Sequence, residues 1–196
     1  MHRRRAGGSS GNEQLTALLA TVLLVLLAIE GATLLDLRSL LTVHAFVGVL
    51  LIPPVALKFA TVGWRMARYY LGAAEYVRRG PPHIVLRAVV APAIAASTIA
   101  LFGTGVALLV TGETNGTVVT LHQASFIAWV AATSLHVLGH LLDLPRALRR
   151  RVPGLAARVA MIGSALALGL AVATLTLPAA DHLQDAATAH IGLDRH

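Results

Sequence analysis

Residues 118–142 read VVTLHQASFIAWVAATSLHVLGHLL. This exceeds the roughly 20 residues that carry a helix across a bilayer's hydrocarbon core. Its only ionisable side chains are His122, His136 and His140. A lone strand could not lie in lipid, where every backbone polar group must be satisfied within the segment, so the run reads as a membrane helix. An ionisable group inside such a helix is costly and is a functional candidate by default.

Four further stretches have the same character: Leu15–Leu35, Ser39–Val62, Ile84–Val110 and Val159–Leu177. The composition agrees. The 196 residues are 56% hydrophobic and 13% charged, with mean hydropathy +0.73. A soluble domain carries about a quarter of its residues charged. An ordinary soluble enzyme and a disordered chain are therefore excluded. Zero cysteines exclude disulfides, thiolate metal sites, iron–sulfur clusters and covalently attached haem. The expected fold is all-α: a polytopic transmembrane four-helix bundle over 15–142, plus one accessory fifth helix at 159–177. Asp36–Arg38 is short enough to make the first two helices an antiparallel hairpin. Pro53-Pro54 is expected to kink the second. The segment 178–196, Ala-rich and polar, reads as a fraying tail with His182, His190 and His196 on its surface.

A net charge of +7 would suit a nucleic-acid partner were it gathered on one face. Instead all sixteen Lys and Arg residues except Arg38 and Arg195 flank spans on one side: the tail 1–14, the 63–83 loop with its margins, and the 143–158 loop. The positive-inside rule then puts the N-terminus in the cytoplasm and the C-terminus outside, in the plasma membrane, with lipid and no nucleic acid as partner. Arg3–Arg5 before an apolar run also resembles a secretory signal. The run's length and the lack of a small-residue cleavage site favour a retained span.

His44 lies five residues into its span and His122 four into its own. Both spans cross in the same direction, so the two imidazoles are expected at one depth, near the outer surface. Two imidazoles from facing helices can hold haem iron with no open position. Gly31, Gly48, Gly103 and Gly105 fall near the same level and would leave room for a flat macrocycle, although small residues also serve close helix packing. His136 follows His122 by fourteen residues, which returns to within ~40° of the same face about 21 Å further along. The matching position after His44 is Lys58, the only lysine. Two readings are open there: a neutral amine ligating a second iron, or an ammonium snorkelling towards Trp64 and Arg65. His136 and His140 form an i,i+4 pair that could take a divalent metal but have no acidic third ligand. Trp64, Arg65, Arg68, Tyr69 and Tyr70 read as an interfacial belt or as a site for haem propionates or a quinone head group.

The segments LLTVHAFVGVLLIPPVALKF at 40–59 and LHQASFIAWVAATSLHVLGH at 121–140 resemble those of membrane-bound b-type cytochromes, both the bacterial cytochrome b561 type and the cytochrome b subunits of hydrogenases and formate dehydrogenases. The resemblance covers the first four spans. It implies electron transfer through one or two b haems, with His44 and His122 as an outer ligand pair and His136 as half of an inner pair. Lys58 departs from that pattern. It further implies a quinone, a redox protein or a larger complex as partner. The competing reading is a haem-free scaffold or accessory subunit in which histidines join helices.

Overall fold

A computed structural model describes residues 8–78, 80, 84–140, 145, 149 and 152–193. Arg3–Arg5, Arg79, Arg146, Arg150, Arg151, Arg195 and His196 lie outside the described residues, as do the side chains of Arg87, His140 and His190. The order of elements is α1 (Gly8–Thr33), a 3-10 turn (Leu34–Asp36), α2 (Leu37–Tyr70), α3 (Ala74–Val77), a π-helical turn (Leu86–Val90), α4 (Ala91–Thr111), α5 (Thr117–His140), α6 (Leu155–Leu175) and α7 (Leu177–Leu193). Among the described residues there is no strand.

Four helical runs are long and apolar enough to cross a membrane: Gly8–Tyr70, Ala88–Thr111, Thr117–Gly139 and Leu155–Leu175. The first has 63 residues. Laid straight it would measure about 95 Å, some three bilayer cores. It is folded back at Leu34–Asp36 instead. Asn12 Nδ2 donates to Thr61 O at 3.1 Å and Lys58 Nζ to Thr16 O at 2.8 Å, so α1 and α2 run antiparallel. Leu35, Val110, Ile127, Leu138 and Leu175 are largely exposed around the helices. In water such a surface would drive association; against lipid it is ordinary.

The hub of the bundle is α2. Helices α1 and α6 pack along it extensively, and α4 and α7 also touch it. One core cluster joins Leu15, Leu19 and Leu23 of α1 to Val47 and Leu51 of α2 and Ile162 of α6. A second joins Val49, Leu109, Ala173 and Ala180. The fifth span packs directly onto α2. Lipid offers little hydrophobic drive for helix association, so close packing must supply it. At Gly169 the backbone of α6 comes so near the Leu50 carbonyl that a Cβ would collide with it. Helix α5 is the outlier: it rests on α4, with Trp129 Nε1 donating to Thr98 Oγ1 at 3.1 Å, and barely reaches α2.

One expectation needs correction. The Ala-rich, polar segment 178–196 suggests a fraying tail, yet Leu177–Leu193 is helical, with Ala180 and Leu183 buried. Alanine is the strongest helix former, and Pro178 sits in the first turn, where its missing N–H costs nothing. The break in α2 lies at Leu40 (φ −110°, ψ 15°), whereas Pro53 and Pro54 keep helical dihedrals. Gln184 of α7 repairs that break. Its Oε1 accepts from Leu41 N at 3.0 Å and Thr42 N at 3.3 Å, and its Nε2 donates to Arg38 O at 2.5 Å.

Candidate functional site

Two hairpins define the site. The first, α1/α2, turns at Leu34–Asp36. The second, α4/α5, turns after Gly112, whose positive φ of 71° ends α4 and whose N–H bonds Leu108 O. Each places one histidine shortly after its turn, at the same end of the bundle. His44 and His122 meet there with ring centroids 6.4 Å apart and ring planes at 87°. Both are half-buried. Helix α7 crosses this end, with Thr42 Oγ1 donating to Asp181 Oδ1 at 3.1 Å and His182 lying beside Gly112.

Each imidazole is held by its own hairpin. His44 Nδ1 lies 2.9 Å from Thr33 Oγ1 and 3.0 Å from Glu30 Oε1, both on α1. His122 Nδ1 lies 3.0 Å from Thr104 Oγ1 and 3.1 Å from Leu101 O, both on α4. The threonines determine the tautomer. Thr33 directs its hydroxyl hydrogen to Glu30 O at 2.6 Å, and Thr104 directs its own to Ala100 O at 2.7 Å, shared with Leu101 O at 3.1 Å. A hydroxyl has one hydrogen, so towards the ring each threonine can only accept. A backbone carbonyl can only accept as well. Both Nδ1 atoms therefore carry the hydrogen, and both Nε2 atoms carry a lone pair. Among the described residues neither Nε2 has a hydrogen-bond partner.

Two of the four glycines read as outer-level residues belong to this arrangement. A Cβ on Gly105 would stand 3.1 Å from His122 Cε1, so the missing side chain lets the ring lie against α4. A Cβ on Gly48 would stand 3.5 Å from Glu30 Oε1. Gly31 and Gly103 face open space and are exposed. They do not line the site.

The inner level is different. Lys58 Nζ donates to Thr16 O on α1 at 2.8 Å, a bond to backbone. His136 is half-buried, and the hydrogen bonding of Lys58 does not include it. Trp64 carries the Arg68 guanidinium at 5.8 Å from its ring centre, and Tyr69 and Tyr70 meet edge to face at 5.4 Å. Trp64 is twenty residues beyond His44, about 30 Å along the helix. That is too far to serve a group held at His44. Exposed aromatics with arginine at this end fit the interfacial belt.

Residue counting brought His44 and His122 together but missed their holders. Glu30 is the only carboxylate within the Leu15–Leu35 span, a signal in the sequence that could have found it. Thr33 and Thr104 gave no signal in the sequence, since threonine commonly bonds back into its own helix. Among the described residues no cluster of three or more His, Cys, Asp or Glu side chains could hold a bare metal ion. No family model, no curated protein and no solved structure matches this chain.

Proposed function

We propose that this chain is an integral membrane b-type cytochrome that carries single electrons through one haem held between His44 and His122. The observation behind this reading is the pair of neighbouring imidazoles, each bonded at Nδ1 within its own hairpin and without a hydrogen-bond partner at Nε2 among the described residues. Two rings sharing one ion at about 2 Å from each nitrogen, with a further 1 Å or so to each centroid, have centroids roughly 6 Å apart. The spacing here is 6.4 Å. A bare ion needs three or four protein ligands, whereas a porphyrin supplies four nitrogens and asks for two axial ones. The helices bearing the histidines, α2 and α5, scarcely touch, so the rings meet without close packing of the helices that carry them.

Bound there and held by His44 and His122, the haem would supply reversible one-electron transfer. The chain's own part is to orient the rings. Thr33 and Glu30 hold His44, Thr104 and Leu101 hold His122, Gly105 makes room for His122, and α7 covers the end. Lys58 is spent on Thr16, so a second haem between it and His136 is not part of the proposal. A membrane quinone or a redox protein would exchange the electron, and the basic loops would face the cytoplasm.

The scaffold alternative uses histidines as glue between helices. Each ring does join two helices, His44 tying α2 to α1 and His122 tying α5 to α4, but such glue does not account for two rings from separate hairpins brought to 6.4 Å from each other.

The test is the visible spectrum of the protein purified in detergent from haem-replete cells, oxidised and then dithionite-reduced. The proposal expects a reduced b-type α band and one haem per chain by pyridine haemochrome. A colourless, helical preparation would overturn it.

A further inference from the structure

The two ligand environments are alike except at one atom. Each histidine has a threonine whose hydroxyl hydrogen is already given to its own helix. The second group beside Nδ1 differs: a hydrogen-bonded backbone carbonyl, Leu101 O, for His122, and a carboxyl oxygen, Glu30 Oε1, 3.0 Å away, for His44. We propose that Glu30 is a positioning residue that makes His44 the stronger electron donor of the pair and thereby lowers the reduction potential of the bound haem. The inference rests on the haem reading above and assigns a role within it.

Glu30 is costly where it stands. A carboxyl group in an apolar span costs several kcal/mol unless it is partnered. Its side chain is 17% exposed, and Oε2 is buried with no hydrogen-bond partner among the described residues. Helix packing does not require such a group: α1 meets α2 through Leu15, Leu19 and Leu23 without it. What Glu30 does is bring its Oε1 to 3.0 Å from His44 Nδ1. A carboxyl oxygen is a stronger acceptor than a hydroxyl or an amide carbonyl when charged. An acceptor on the far nitrogen of a metal-bound imidazole fixes the ring and raises its basicity. More electron density at His44 Nε2 favours the oxidised iron.

The test uses the haem-loaded protein in detergent and reads the midpoint potential by redox titration, with haem occupancy and the circular dichroism of the helices alongside. Glu30→Gln keeps the size and an oxygen acceptor; Glu30→Leu removes the acceptor. Both variants are expected to fold. Glu30→Leu is expected to make the haem easier to reduce by roughly tenfold in the equilibrium, about 59 mV for one electron, with Glu30→Gln moving in the same direction. Thr104→Val, which loosens the other ligand but removes no carboxyl group, is expected to shift the potential less. An unchanged potential in both Glu30 variants at full occupancy would overturn the role of Glu30 and leave the haem reading standing. A wild-type protein without haem would overturn the reading itself. Haem lost from a folded Glu30→Leu but kept in Glu30→Gln would support the positioning role through occupancy.

Discussion

The α1/α2 and α4/α5 hairpins present the same motif, a threonine on the first helix holding a histidine near the start of the second. They differ in everything around it. The first hairpin sits at the hub of the bundle, packed by α6 and α7, with its histidine also tied to a buried carboxyl group. The second hangs from the hub by α4. Its outer helix α5 is largely exposed, and Ala132 is its one buried residue among those described. The local geometry around each histidine therefore does not need equal packing. His44 is held within the packed hub. The other is held by its partner helix and, under the proposal, by the iron that joins it to the first.

The comparison breaks most directly at the ligands. His44→Ala and His122→Ala are each expected to abolish the reduced α band while the helical circular dichroism stays. Loss in only one of the two would mean that the hairpins do not share one ion. Next comes rigidity. With haem removed, amide exchange is expected to rise far more in α5 than in α2, because little else fastens α5 down. Equal protection would show that the second hairpin is packed by something other than α4 and haem.

How much of this was legible follows from the same contrast. Span lengths gave the helices, and counting residues from each turn gave His44 and His122 a shared depth, because rise per residue is fixed. What counting cannot give is the angle at which two helices meet. The Glu30–His44 bond depends on how α1 is rotated against α2, and Gln184 reaches Leu41 only because α7 folds back across the bundle. Nothing in the sequence marks the non-helical residue Leu40, where a side chain from another helix satisfies the freed N–H groups. Lys58 could not be placed because its partner is a backbone carbonyl of α1, and carbonyls leave no mark in a sequence.

Smaller effects sharpen the picture. Gly169→Ala is expected to destabilise the hub by about 1–3 kcal/mol, as overpacking does, seen as a lower midpoint in thermal denaturation in detergent. Gly103→Ala, facing open space on the second hairpin, is expected to leave that midpoint unchanged. Gln184→Ala leaves the Leu41 and Thr42 N–H groups without their partner and is expected to cost about 1–3 kcal/mol by the same assay. Lys58→Met is expected to have the smallest effect on the cofactor, leaving haem at one per chain; a fall would return Lys58 to the ligand set.

The arrangement of the two rings gives the sharpest measurement. Imidazole planes crossed at 87° on one ferric ion predict the strongly anisotropic low-spin electron paramagnetic resonance signal of perpendicular axial ligands, converted to high spin or lost when either histidine is replaced by alanine. A low-spin signal that survives unchanged in the folded His44→Ala protein would contradict the claim that these two histidines hold one haem.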